Sequence, residues 1–476
     1  MRDKLSEALD HISDQHIAEA AAAKNRRRYL IPAAIAAVLA LVLVIGAILQ
    51  PLAPSTPGNV TLSNKLLVAQ PQYPQLTQHP KISGKTGAWK SDWESLHKQP
   101  SGYADSLDPY FATITETLLS GTEGKNAACS PVNIYLALAM LAETTDGNSR
   151  QQILDLLGAD SIKELRTQAG RVWEAHYHND GYTTSILANS LWLKEGYAYN
   201  QKTANLLADK YYASVFQADL GSKQANQALR DWINEQTGDL LKEQTEGINL
   251  QPLSVLALIS TLYYQVQWQQ INLFREKNNT ETTFHSTAGD TTKTFMNQVL
   301  WYSTYYWGEN FGAVPLDLED DSRMWLILPD EGTTPEELLS SGEATSFLQQ
   351  DLRKYKNKAT PRINLSIPKF DICSDMELSN QLKELGVTDA FDQNIADFSP
   401  IFPQQDSIYV SEVKHAARVA IDEEGVTAAS YTLIVAAAGG TSVHEDEVDF
   451  VLDRPFLFVI ESADGLPLFA SIVNQP

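Results

Sequence analysis

From Val426 to Val443 the chain runs VTAASYTLIVAAAGGTSV, eighteen residues without a charge or a proline. Small and β-branched side chains dominate it, so nothing in it forbids a place at the centre of a β-sheet. It is long for a strand, since most strands run about 3–10 residues. Acidic residues bracket it: Asp422, Glu423 and Glu424 before it, Glu445, Asp446 and Glu447 after it. A buried strand ending in a Gly-Gly turn would account for part of this pattern. Left exposed, such a segment is an aggregation hazard, and keeping it implies a use. The fold must either take this segment into a sheet or hold it away from one.

A second uncharged run, Leu30–Leu49 (LIPAAIAAVLALVLVIGAIL), follows Lys24, Arg26, Arg27 and Arg28, and no basic residue follows it until Lys65. It is long enough to cross a hydrocarbon core of roughly 30 Å as a helix. The positive-inside rule then puts residues 1–28 in the cytoplasm and everything after Gln50 outside. A cleaved signal peptide is the rival, but its apolar region is normally about 7–15 residues long. The reading is an uncleaved single-pass anchor in the cell membrane over 29–50, with membrane contact through residues 30–49. Residues 1–28 carry Leu5, Leu9 and Ile12 at helical spacing, and read as a short cytoplasmic stub. Residues 51–102 hold Pro51, Pro54, Pro57, Pro71, Pro74 and Pro80 among Ser, Thr, Gln and Gly, and read as an extended linker.

From 103 to 476 the texture is that of one domain. Phe111, Ile114 and Leu118 form a helical stripe, Asn133–Ala142 is an apolar helical run after Ser130–Pro131, and Gln151–Leu157 is a short helix. Strand-like runs follow at Ser185–Leu193, Leu256–Tyr264, Met324–Leu328, Ile363–Ile367, Val413–Ile421 and Leu457–Ile460. Helices dominate the first half and strands the second, which is an α+β pattern.

The net charge of -23 repels phosphate backbones, so nucleic acid and heparin-like polyanions are poor partners. The two cysteines, Cys129 and Cys373, exclude a disulfide scaffold, and separate buried thiols are expected. There is no GxSxG, HExxH, GxxxxGK[ST] or Cys-x-x-Cys motif, and the chain does not read as an enzyme or as needing a cofactor. His176 and His178, with Glu174 and Asp180 nearby, read as an exposed polar loop rather than a metal site. Asp317–Asp321 lacks the spacing of a calcium loop. Glu445–Asp449 reads as a solvated loop.

Asp453–Arg454–Pro455–Phe456–Leu457–Phe458, downstream of the neutral segment, resembles the C-terminal signature of the serpin family of serine protease inhibitors. Ser130–Pro131 with Ala137–Met140, Leu187–Leu193, Ile363–Phe370, Leu382–Gly386, Ala390–Phe391, Ala396–Ser399, Pro467–Phe469 and Pro476 resemble further family motifs in order. The resemblance covers roughly residues 103–476. It implies a serpin fold: a large central β-sheet, two further sheets, about nine helices and an exposed reactive loop. It implies that a protease cuts the loop, is trapped as an acyl-enzyme, and is carried along as the freed loop enters the central sheet.

In these terms Glu423, Gly425, Val426, Thr427, Ala428, Ala429 and Ser430 form the hinge. Val426, Ala428, Ser430 and Thr432 would face inward, with Tyr431 on the other face. The reactive bond is expected at Gly439–Gly440, with Ala438, Thr441 and Ser442 as alternatives. Such small neutral residues suit a target serine protease with a small apolar specificity pocket, elastase-like or subtilisin-like. Ser130, Asn133, Ser260, Trp268 and His415 match the family's sheet-opening residues. The family's usual serine stands here as Asn133 and its asparagine as Ser260, so the pair is expected to exchange roles. Phe274 lies two residues later than its counterpart, and Ser471 replaces a common glycine. The expected protein is a monomer. The alternative is a serpin-fold surface binding module that does not inhibit.

Overall fold

Lys414–Ile421 (β15) alternates along its length, with His415, Ala417, Val419 and Ile421 buried and the residues between them at least partly exposed. One face therefore meets the core and the other faces outward. β15 pairs antiparallel with β14 (Phe370–Glu377) at the edge of an eight-stranded sheet. From the far edge its order is β1 (Leu67–Ala69), β5 (Ala213–Ala218), β4 (Thr184–Lys194), β6 (Leu256–Gln267), β16 (Gly425–Val426), β15 and β14, with β3 (His178–Asn179) paired to β4. β4 is buried along nearly its whole length, as a strand covered on both faces must be.

This is a computed structural model. It describes residues 66–80, 86–122, 124–181, 183–270, 273–404, 407–426 and 446–476. The stub 1–28, the apolar run 30–49 and the start of the linker lie outside these residues. Among the described residues no helix is long and apolar enough to cross a membrane.

A seven-stranded sheet runs β12 (Lys358–Ala359), β9 (Tyr305–Trp307), β10 (Phe311–Asp317), β11 (Arg323–Pro329), β18 (Phe456–Glu461), β19 (Pro467–Val473) and β2 (Ala127–Cys129). A four-stranded sheet runs β17 (Glu447–Val451), β13 (Arg362–Pro368), β8 (Gly289–Leu300) and β7 (Thr280–Ser286). Eleven α-helices accompany them among the described residues, against about nine implied by the resemblance. They are α1 (Thr86–His97), α2 (Asp108–Leu119), α3 (Pro131–Thr144), α4 (Gly147–Leu156), α5 (Ile162–His176), α6 (Gln201–Tyr211), α7 (Lys223–Gln236), α8 (Lys242–Glu246), α9 (Pro335–Ser340), α10 (Glu343–Leu348) and α11 (Ser379–Glu384). Only Ala137 of α3 escapes full burial, so this helix runs through the core. Pro131 opens it, and the Ser130 hydroxyl caps it by accepting from the Asn133 N–H at 3.3 Å.

The linker expected over 51–102 needs correction. From residue 66 onward this stretch is packed. Leu67 and Ala69 pair with Phe216 and Val215, adding an edge strand to the large sheet. Tyr73 stacks on Tyr177 and Tyr212 beside Trp173, and its hydroxyl donates to the Tyr212 carbonyl. Trp89 Nε1 donates to Asp180 Oδ2 at 2.7 Å. Prolines and polar residues mask an apolar set here, Leu67, Tyr73, Trp89, Trp93 and Leu96, in which the last three share one face of α1. His176 and His178 also differ from the exposed loop expected. His176 is 4% exposed at the end of α5, and His178 is half-buried in β3. The cysteines are both free, Cys129 buried and Cys373 partly so.

Candidate functional site

The chain leaves β15 at Ile421, turns through Asp422–Glu424 and returns as β16. Asp422 Oδ1 accepts from the backbone of Glu424 at 2.9 Å and of Gly425 at 3.3 Å, which closes the turn locally. Trp268, just past β6, donates its indole N–H to the Asp422 carbonyl at 2.9 Å and its backbone N–H to the Glu424 carbonyl at 3.1 Å. Phe274 meets the Trp268 ring edge-on at 5.7 Å, so its shifted position still serves the same aromatic pair. Glu423 takes an ion pair from Lys369 at 2.7 Å and a hydrogen bond from Asn279 Nδ2 at 2.6 Å. Burial opposes its charge, but these partners prevail and hold its carboxyl below the usual range.

β16 is two residues long, and it is the only ladder between β6 and β15 among the described residues. Val426 lies opposite Val266 on one side and Ile421 on the other, antiparallel to both, and is 2% exposed. Gly425 is required by close approach: a Cβ there would lie 2.2 Å from the Val266 carbonyl oxygen. Beyond β16 no described residue pairs with the facing edges of β6 and β15. The ground between these edges is lined by Leu262 of β6, Ala416, Ala417 and Arg418 of β15, and Ser130 and Asn133 of the central helix.

A buried polar cluster occupies this ground. The Ser130 backbone N–H donates to His415 Nε2 at 3.0 Å. Asn133 Nδ2 donates to the Ser260 carbonyl at 3.0 Å, and the Ser260 hydroxyl donates back to Asn133 Oδ1. The exchanged pair thus bonds reciprocally across from α3 to β6. Burial pushes the His415 imidazole down to about 4, so the ring is neutral and Nε2 can accept.

On the far side of the neutral segment, β17 pairs parallel to β13, with Glu447 opposite Arg362 and Val451 opposite Ser366. Asn364 Nδ2 donates to both Glu447 and Asp449, and Arg362 reaches Glu447 at 3.4 Å. The acidic run 445–449, expected as a solvated loop, is therefore a strand from Glu447 onward. Asn364 and Arg362 supply the partners that let acids line it.

Of the expected site residues, Ser130, Asn133, Ser260 and His415 come together. Trp268 does not join them; it sits at the Asp422–Gly425 turn beside Glu423 and Val426. Thr427, Ala428, Ala429, Ser430, Ala438, Gly439, Gly440, Thr441 and Ser442 lie outside the described residues. Asn279 and Lys369, which pin the turn through Glu423, went unnoticed in the sequence, as did the turn-closing role of Asp422. They are single polar residues whose roles appear only when distant strands meet. Ser471 is accommodated by donating its hydroxyl to the Ala127 carbonyl at 2.7 Å.

A family model described as Serpin (serine protease inhibitor) matches residues 111–476. Serpin-ZX of Arabidopsis thaliana is 28% identical over 370 residues, spanning 75% of this chain and 93% of that protein. An uncharacterized serpin-like protein of Methanosarcina acetivorans is 27% identical, spanning 74% and 82% respectively. Among solved structures, the native state of the thermophilic serpin tengpin superposes with a TM-score of 0.70 at 25% identity, covering 79% of this chain and 95% of that one. With the family model matching more than three quarters of the chain and the fold superposing on a solved member, the chain belongs to the serpin family of serine protease inhibitors.

Proposed function

We propose that this protein is a suicide-type inhibitor of serine proteases, held on the outer side of a cell membrane in the manner of a bacterial-type anchored serpin. The observation that carries the reading is β16, already seated between β6 and β15 whose edges beyond it have no described partner. Continuing the same register, residues 427–433 run opposite β15 as far as Lys414, and 427–436 run opposite β6 as far as Leu256. Ala428 then falls between Tyr264 and Val419, Ser430 between Leu262 and Ala417, and Thr432 between Ser260 and His415. Each inward side chain is small or medium and uncharged, as strand insertion demands. The strand ends just short of Ala438–Ser442, where the cut is expected, at Gly439–Gly440.

A protease that acylates there frees the hinge, Glu423–Ser430. Insertion adds ladder hydrogen bonds and drags the attached protease before water can release it. Small residues around the bond fit elastase-like or subtilisin-like targets. The chain itself supplies bait and strain rather than a catalytic centre, and acts as a monomer without a cofactor. Residues 30–49 anchor it, with 1–28 cytoplasmic, 51–65 as tether and 66–476 as the folded part outside.

The test is to incubate the full-length protein in detergent with an elastase-like protease and run a denaturing gel. A covalent complex that survives denaturant supports the reading. Clean cleavage without any complex, across elastase-like and subtilisin-like enzymes, sinks it.

A further inference from the structure

Arg418 stands on the outward face of β15 and holds two elements at once. Its Nε and Nη2 donate to the two carboxylate oxygens of Asp371 on β14, at 2.8 and 2.6 Å. Its Nη1 donates to the Leu240 carbonyl at 2.9 Å. The fork onto Asp371 fixes the plane of the guanidinium, and with it the direction of the third bond. The Glu243 carboxylate in α8 adds attraction for the same charge.

Leu240 belongs to the turn between α7 and α8. Gly238 and Asp239 both take positive φ there, 56° and 63°. The chain doubles back, and the Leu240 N–H reaches the Thr237 carbonyl at 3.1 Å. The turn also rests on β6, because a Cβ at Gly238 would lie 3.4 Å from the Tyr263 ring. In the register of β16, Tyr263 and Arg418 flank one and the same position of a strand entering between β6 and β15. The turn therefore spans that position from the outer face. On the inner face α3 clasps the same two strands, through Ser130 to His415 and Asn133 to Ser260. Thr237, Leu240 and Leu241 join Leu262, Ala416 and Arg418 around a space of about 10 Å³, room for about one water. A strand needs its two neighbours about 9–10 Å apart, so none can enter until bonds across the gap give way.

We propose that Arg418 is a positioning residue for strand insertion: it holds the α7–α8 turn across the gap and so acts as a brake on entry. The proposal rests on the inhibitory reading above, since it presumes a gap that accepts a strand. With the bond made, β15 and the turn that sits on β6 cannot separate, and the uncut protein keeps its gap shut. With the bond gone, β6 and β15 part at less cost and insertion quickens.

The test adds an acetylated peptide with the sequence of residues 427–436, TAASYTLIVA, to the uncut full-length protein in detergent. Entry is followed over time as the growth of a population that unfolds at higher temperature. Arg418→Met should speed entry about tenfold, as expected when one charge-assisted hydrogen bond no longer has to break during opening. Arg418→Lys keeps the charge and a partner in Asp371, but one ammonium cannot reproduce the fork and the third bond together. It should therefore be as fast as Arg418→Met, and it carries the test alone if Arg418→Met does not fold. Equal entry rates in the unchanged protein and the variants overturn the brake and leave the inhibitory reading standing. The unchanged rate in Arg418→Lys alone overturns it too, since charge and not the bridge would then be responsible. A peptide that enters none of the three proteins removes the inhibitory reading, and the brake falls with it.

Discussion

His415 is the titratable member of the polar cluster. Its folded pKa of about 4 lies below the ordinary histidine value near 6.5. The neutral ring accepts from Ser130, so the folded state resists the proton that the unfolded chain takes up readily. Stability from this group is complete above about pH 6.5 and is lost as pH falls toward 4, by as much as ~3 kcal/mol. Urea unfolding at pH 7.5 and 4.5 should record this loss, and His415→Gln should flatten it; an equal slope in the variant would count against the assignment. Asn133 and Ser260 make the second prediction at this scale. Their reciprocal bonds should couple them by about 1 kcal/mol in a double-mutant cycle, and fully additive effects of Asn133→Ala and Ser260→Ala would refute the exchange. Both residues were legible in the sequence through the resemblance. Their pairing followed from two polar types changing places. Lys369 and Asn279 were not legible, because an ion pair or a hydrogen bond across roughly 54 or 144 positions of chain leaves no local trace.

Among elements, β16 bears the tightest constraint. Gly425→Val would drive a side chain into the Val266 carbonyl and expel the strand from between β6 and β15. A loss of about 2 kcal/mol or more is expected, with faster hydrogen exchange at the Trp268 amide, which donates to the Glu424 carbonyl. The packed stretch before the family domain makes a contrasting prediction. Removing residues 1–65 should leave the unfolding midpoint where it is. Removing 1–100 should cost about 3 kcal/mol, because Leu67, Tyr73 and Leu96 lose their partly buried contacts and the edge of β5 is exposed. Sequence periodicity found the central strands well: Leu256–Tyr264 became Leu256–Gln267, and Val413–Ile421 became Lys414–Ile421. It missed β1 because three residues carry too little periodicity to register, and it missed α1 because prolines upstream set the apparent texture. It could not show that β6 and β15 stand apart, since pairing between distant strands is a property of the folded chain and not of either segment.

At the scale of the molecule, the neutral segment begins in a strand of one sheet, and the next described strand after it belongs to another. β16 belongs to the eight-stranded sheet and β17 to the four-stranded sheet. On the proposed reading, a cut between them releases the first end to extend β16. At about half to one kcal/mol for each new ladder hydrogen bond, full insertion adds stability on the order of 5–10 kcal/mol. The cut protein should therefore melt about 10 °C or more above the intact one by calorimetry, and an unchanged midpoint would mean that insertion does not occur. The second end has nowhere to go. The piece that starts beyond the cut contains β17, β18 and β19, and the last two fill the middle of the seven-stranded sheet between β11 and β2. Severing the backbone here consequently divides the polypeptide without dividing the particle. If the protein inhibits as proposed, a population of these molecules keeps a physical record of every encounter: each cut copy travels as one body in native solution and as two chains in denaturant.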